Sequence, residues 1–351
     1  MQQLTVYLSS ILFLPVLLLQ TSSAAPDLEL VYKLKTSIVK VHALTQGGAH
    51  GVGSGVVVAP DVVATNCHVL ANASGVNISK FGDSITPVAM YADWVHDVCL
   101  LTFQYLDLPP VKLSTTNNLH YGQEVFSIGF PGGLPKPLTT VGKIRALYPY
   151  AEDLVIRTDA AFIMGASGSP LFNNAGELIG INTFKSPGKF AYYYSVPVEW
   201  VQKLLKNHTA NIAVTNAFWD QPTQQQPFFM QVTQPYLHSE WNDLHNIAEA
   251  WIAQTPELAE AYFYLASALH GQGKLAEARS AYEQTTALQP AHIEAWQGLA
   301  VLAEQSGQSA LFEKSMRQLN ALDEEAYKAM KSRLSTTARP SNATGESETG
   351  H

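Results

Sequence analysis

The sequence predicts two unlike domains in series, an antiparallel all-β barrel followed by an all-α helical repeat. Three observations carry that prediction. Residues 28–206 are a run of short β-branched or alternating segments separated by Gly, Pro and Asn turns, the pattern of a barrel or sandwich rather than of strands interleaved with helices. Residues 207–239 become rich in Asn, Thr, Gln and Pro, as a linker does, with Phe228, Phe229 and Met230 expected to dock on a neighbour. From residue 240 the apolar period turns helical and the text repeats at a spacing of 34, Pro256 recurring as Pro290, Ala261 as Ala295, Leu265 as Leu299 and Gly273 as Gly307, which marks a stack of paired helices.

At the N-terminus, an apolar run from Val6 to Leu19 leads into Ser22, Ser23, Ala24 and Ala25. It is too short to span a bilayer and is broken by Pro15, so residues 1–24 read as an export signal cleaved after Ala24, and the protein as periplasmic or secreted. The lack of Lys or Arg ahead of the run is atypical, and an uncleaved anchor is the alternative. No later segment approaches transmembrane length, so the mature chain is expected to leave the membrane. The chain is 46% hydrophobic and only 14% charged, with a net charge of −8 and no Lys/Arg run, which argues against nucleic acid and anionic membranes as partners. His42, His50, His96 and His120 stand alone, and without phosphate-loop, calcium-loop or zinc spacing neither metal nor cofactor is expected.

The predicted strands include Ser37–Val41, Gly55–Val58, Val98–Phe103, Glu124–Ile128, Leu154–Arg157, Glu177–Thr183 and Phe190–Val196, and residues 198–205 form a short amphipathic helix. Cys67 and Cys99 are compatible with a disulfide in an oxidising compartment and equally with two buried thiols. In the helical half, Tyr262, Leu265, Ala266, Leu269, Ala278, Tyr282 and Pro290 occupy the aromatic, leucine, small and proline positions of one repeat. This unit resembles the tetratricopeptide repeat family. Phe312 and Glu324 break the pattern in the next unit and Pro235 breaks the preceding one, leaving about two and a half repeats over residues 240–334. Tyr262, Tyr264, Tyr282 and Trp296 read as packing between helices, Glu249, Glu257 and Glu260 as solvated faces, and residues 335–351 as a disordered tail.

The chemistry centres on residues 165–170, GASGSP. Glycines on both sides of Ser167 allow a tight turn that displays its hydroxyl, with the N–H groups of Gly165 and Ser167 converging on one point. A nucleophilic serine needs a base and an orienting acid; His68 in ATNCHVL, ending a strand, and Asp97 in WVHDVCLL, entering one, are the candidates. Together with GSG, GFPGG, TVGKI, RTDAAFIMGASGSPLFN, GINTF and SVP, in that order over residues 38–205, these blocks resemble the HtrA/DegP group of chymotrypsin-like serine peptidases. The resemblance implies a pair of six-stranded Greek-key barrels, with His68 as general base, Asp97 as its orienter, Ser167 as nucleophile, and the Gly165 and Ser167 N–H groups as oxyanion hole.

Several positions depart from that family. Ala166 stands where digestive trypsin-like enzymes carry the aspartate that pairs with a newly cut N-terminus, so activation by that salt bridge is excluded. Ser169 replaces a glycine. Tyr193, ahead of Tyr194, Ser195, Val196 and Pro197, replaces the glycine of a pocket wall and narrows the primary pocket. With no charge at Ala161 or at Asn182, Thr183 and Phe184, cleavage is expected after small or medium apolar residues. Tetratricopeptide repeats take the place of the family's usual PDZ domain. The expected function is an exported serine endopeptidase acting on proteins, its repeats engaging substrate or a protein partner. A catalytically silent scaffold is the runner-up, a non-peptide esterase a third reading, and oligomerisation stays open.

Overall fold

The computed structural model describes residues 26–45, 47–187, 191–207 and 215–337. The expected export signal, residues 1–24, and the part of the expected tail beyond residue 337 lie outside them, as do residues 208–214 of the linker and residues 188–190, the last of which opens the last predicted strand. The first element is a helix that the sequence does not announce, α1 (Leu28–Lys35), whose first turn is capped by the Asp27 carboxylate accepting from the Glu29 N–H.

Seven antiparallel strands form the first β unit: β1 (Ile38–Thr45), β2 (His50–Ala59), β3 (Val62–Thr65), β4 (Ala73–Lys80), β5 (Asp83–Ile85), β6 (Ala89–Asp93) and β7 (Val98–Thr102). Their order is β5-β4-β1-β2-β3-β7-β6. Val39, Val41, Val57, Val63, Ile78 and Leu101 converge from five of these strands on one core, so the sheet wraps upon itself. Its ladder nevertheless stays open between β5 and β6. β5 is three residues long and Pro87, lacking an N–H, follows it, so the edge offers little to pair with.

The second unit is a closed six-stranded barrel: β8 (Glu124–Gly129), β9 (Leu138–Tyr150), β10 (Asp153–Thr158), β11 (Pro170–Asn173), β12 (Leu178–Lys185) and β13 (Tyr193–Pro197), in the order β10-β13-β12-β11-β8-β9. Helix α2 (Val198–Asn207) then buries Val198, Trp200, Val201 and Leu204 and packs on strands of both β units. A disulfide joins Cys67, just past β3, to Cys99 of β7, with Cα atoms 4.9 Å apart and both residues fully buried. Thr65 pairs with Cys99 in the β3–β7 ladder, so the bridge lies where two strands are already in register.

Residues 215–239 are ordered, unlike a free linker. They make 3₁₀ turns at Phe218–Asp220 and Thr223–Gln225, then short helices α3 (Phe228–Gln231) and α4 (Thr233–Leu237). Pro235 falls in the first turn of α4, where no helical N–H is required, and Phe229 stacks on Tyr148 of β9 with ring centroids 4.5 Å apart. Six helices complete the chain: α5 (Trp241–Gln254), α6 (Ala259–Gly271), α7 (Leu275–Leu288), α8 (Ile293–Gln305), α9 (Ser309–Leu322) and α10 (Glu324–Thr337).

The repeats lie against the closed barrel, and one core runs through both. At the contact the N-terminal turns of α6, α8 and α10 present carboxylates, which complement the positive helix ends. Glu260, expected at a solvated face, is instead fully buried; the barrel covers the face that periodicity within the repeat assigns to water. It accepts a hydrogen bond from the Tyr121 hydroxyl at 2.9 Å and lies 3.0 Å from His292 Nε2. Glu294, one repeat of 34 residues later, accepts from the buried Arg157 of β10 at 2.8 Å. Asp323 caps α10 through the Glu325 and Ala326 N–H groups and pairs with Lys143 at 3.0 Å and Arg145 at 3.4 Å.

Burial opposes the charge on Glu260, but His292, Arg157 and Tyr121 more than offset it and hold the carboxyl below its usual 4.5; Asp323 is likewise held below 3.8, burial being outweighed by backbone N–H, Lys143 and Arg145. Both are depressed acids, so their stabilisation is complete above those usual values and is lost as pH falls through the lower values of the folded state. Glu260→Gln should therefore destabilise the protein by about 3 kcal/mol at neutral pH and flatten the loss of stability below pH 4.5, read from urea unfolding at a series of pH values. Replacing Cys67 and Cys99 together by Ser should cost about 3–4 kcal/mol in the same measurement, the loop-closure entropy of a bridge spanning 32 residues.

Candidate active site

His68 opens a 3₁₀ turn (His68–Leu70) directly after β3, and Asp97 ends the turn between β6 and β7. Asp97 has a φ of 58°, a left-handed conformation that Asp tolerates better than most side chains. This conformation turns its carboxylate under His68. Asp97 Oδ1 accepts from the His68 backbone N–H at 2.8 Å, and Oδ2 accepts from His68 Nδ1 at 2.6 Å. With Nδ1 committed as donor, Nε2 of the neutral ring is left as an acceptor. The carboxylate is 1% exposed and the imidazole 31%. Asn66 secures the turn, its Nδ2 donating to the Asp97 carbonyl at 2.9 Å and to the Thr183 hydroxyl at 3.0 Å.

The Ser167 turn is shaped by its glycines. Gly165 and Gly168 have φ of 90° and 83°. A methyl on Gly168 would stand 2.1 Å from the Ser54 carbonyl oxygen, and one on Gly165 would stand 2.6 Å from that of Phe130. Ser54 of β2, the serine of the GSG block, holds both ends of the turn: its N–H donates to the Ser167 carbonyl at 2.8 Å and its hydroxyl to the Gly165 carbonyl at 2.9 Å. The Gly132 N–H of the GFPGG block donates to the Met164 carbonyl at 2.6 Å, which points the N–H across that trans peptide, on Gly165, the opposite way. Among the described residues, neither the Gly165 nor the Ser167 N–H donates a hydrogen bond, and Ser167 Oγ has no partner, His68 included. The turn nevertheless abuts the His68 segment: a methyl on Gly53 would touch Val69 at 2.6 Å and the Ser167 carbonyl oxygen at 3.2 Å.

The remaining site residues separate into two groups. Asn182 and Ser195 are fully buried. Ser195 Oγ donates to Asn182 Oδ1 at 2.7 Å, while Asn182 Nδ2 donates to Ser127 and Ser169 hydroxyls at 2.6 and 2.9 Å. They brace the Ser167 turn from beneath rather than line an open pocket, because two polar side chains with no access to water must satisfy each other. Ser169 is accommodated in this network, and Gly129 opposite leaves it room, since a methyl there would lie 2.7 Å from Ser169 Cβ. Thr183 is also buried, Ala161 is exposed, and Tyr193 packs half-buried on Phe162 with centroids 5.3 Å apart.

Phe184 stacks on Tyr194 at 4.5 Å and on Trp219 at 5.7 Å. Trp219, which sequence reasoning missed, comes from the linker and donates its indole N–H to Asp97 Oδ2 at 3.0 Å. The available signal was the adjacent aromatic pair Phe218–Trp219 within a segment rich in Asn, Thr, Gln and Pro. Beyond Trp219 lies a cavity of about 730 Å³ between the barrel and the repeats, with Phe184, Lys185, Met230, Gln234 and Asp243 among its walls. No group of three His, Cys, Asp or Glu among the described residues is placed to hold a metal.

Both halves of the chain are similar to known proteins. Residues 53–181 match the family described as trypsin-like peptidase domain, and residues 259–302 match the tetratricopeptide repeat. The putative serine protease HhoB of Synechocystis is 33% identical over 167 residues, 45% of this chain and 40% of that protein. A probable periplasmic serine endoprotease DegP-like from Pseudomonas fulva is 35% identical over 162 residues, 44% and 34% of the two chains. The mitochondrial serine protease HTRA2 of Bos taurus is 33% identical over 164 residues, 44% and 35%. The chain thus spans less than half the length of the curated relatives it matches. The chain joins a trypsin-like peptidase domain, similar to that of HtrA- and DegP-type serine proteases, to a C-terminal tetratricopeptide repeat.

Proposed function

We propose that this chain is an exported serine endopeptidase in which Ser167 is the nucleophile, His68 the general base and Asp97 its orienting acid. The observation that carries the reading is the pair of hydrogen bonds from His68 to Asp97, which fixes the ring and reserves Nε2 for a proton. In the reaction Ser167 Oγ attacks the peptide carbonyl carbon as its proton passes to Nε2. The carbonyl oxygen becomes an oxyanion between the Gly165 and Ser167 N–H groups. The intermediate collapses as His68 returns the proton to the departing amine, and water then releases the acyl group by the same route. The missing Ser167–His68 hydrogen bond forms when substrate enters, as such contacts tighten in the Michaelis complex. The uncharged surroundings of Ala161, Thr183, Phe184 and Tyr193 suit small or medium apolar side chains. The buried disulfide and the N-terminal export signal support a periplasmic or extracytoplasmic site of action. The repeat faces not covered by the barrel bind a protein partner or substrate.

The unpartnered Ser167 hydroxyl is what favours the second reading, a silent peptidase fold that serves as a scaffold for the repeats. Ser167→Ala should lower cleavage of unfolded casein by at least about 10⁴-fold and abolish labelling by a fluorophosphonate; a parent protein that neither cleaves nor labels would establish the scaffold instead. On a panel of peptides varied at the residue before the cut, Ala and Val should exceed Arg, Asp and Trp in kcat/KM by roughly tenfold or more.

A further inference from the structure

We propose that Trp219 is a positioning residue of the triad: its indole N–H holds the Asp97 carboxylate, so the linker that carries the repeats is part of what orients His68. The proposal rests on the reading of His68, Asp97 and Ser167 as a catalytic triad. A carboxylate at 1% exposure requires donors in place of water. Oδ1 has the His68 backbone N–H, and Oδ2 has His68 Nδ1 at 2.6 Å and Trp219 Nε1 at 3.0 Å. The Thr183 hydroxyl of β12, which shares the Asn66 amide with the Asp97 carbonyl, is turned away, donating to the Ile181 carbonyl at 2.9 Å and accepting from Asn66. Without the indole, Oδ2 would keep the imidazole as its sole donor among the described residues.

Trp219 is itself held in place. The preceding residue, Phe218, is 2% exposed, and its N–H donates to the carbonyl of Val95, in the turn that carries Asp97, at 2.9 Å. Gln226 Nε2 donates to the Trp219 carbonyl at 3.0 Å. The indole lies edge-on to His68 with centroids 5.3 Å apart and planes at 87°, and is stacked on Phe184. One side chain thus touches both the acid and the base. Packing alone would account for the ring but not for an N–H aimed at the oxygen that His68 uses. An indole donor also draws negative charge from Oδ2, and removing it leaves more of that charge to favour the imidazolium.

The test uses the full mature chain and two substitutions, Trp219→Phe, which keeps a ring against Phe184 but has no donor, and Trp219→Ala. With Trp219→Phe, kcat should fall about fivefold, the worth of one such hydrogen bond, with KM unchanged. The acid limb of the kcat/KM profile should move to higher pH by several tenths of a unit, and the His68 Nδ1 proton should shift in the NMR spectrum. Trp219→Ala should add a rise in KM. A folded Trp219→Phe with the parent's acid limb and Nδ1 resonance would overturn the proposal. A measurement on the unsubstituted protein covers the case in which the variants do not fold: the Trp219 indole N–H resonance should titrate with the same midpoint as the His68 ring protons, and a flat indole resonance would overturn it. Fluorophosphonate labelling of Ser167 is scored separately. Co-titration without labelling defeats the peptidase reading while the Trp219 contact stands; labelling without co-titration does the reverse.

Discussion

The paired hydrogen bonds between His68 and Asp97 are the contact on which the peptidase half depends. Burying a carboxylate costs several kcal/mol unless hydrogen bonds replace its water, and elements from distant parts of the chain supply them here. The end of β3 contributes the His68 amide and ring, and the 3₁₀ turn after residue 217 contributes an indole. Asn66 fixes the backbone of the acid, and the Cys67–Cys99 bridge keeps β3 and β7 from slipping past one another. A shift of one residue in that ladder would turn every side chain to the opposite face, and Asp97 would lose His68.

The same demand for satisfied charge governs the contact between the two halves. Glu260 and Glu294 occupy equivalent positions in successive repeats, and the barrel answers them with Tyr121 and Arg157. Interior ion pairs of this kind contribute little net stability compared with apolar packing, but they penalise misplacement heavily. The apolar contacts of Phe229 and Tyr148 supply attraction, while the charges restrict how the repeats can sit. The peptidase half is therefore held from two directions, by its disulfide within and by the repeats against its second barrel.

Much of this architecture is legible in the amino-acid sequence. The 34-residue period, the change from strand-like to helical text and the His68, Asp97 and Ser167 blocks all depend on local patterns, which a single sequence carries well. Features arising from contacts between remote segments are not legible there. Glu260 sits on a helix position that periodicity assigns to solvent, and only the docked barrel buries it. Asn182 and Ser195 look like pocket residues in one dimension, yet they satisfy each other beneath the turn. Trp219 lies in text with no period at all, and its role is set by a carboxylate 122 positions away. Short strands such as β5 escape for a different reason: three residues are too few to show alternation.

Ser54 ties the Ser167 turn to a distant part of the chain. It belongs to the first β unit, yet its N–H and hydroxyl grip the two ends of a turn that belongs to the second. Neither unit folded alone contains that grip, and the Ser167 turn carries two glycines free to adopt other conformations. The Ser167 turn therefore has this support only where the two units meet.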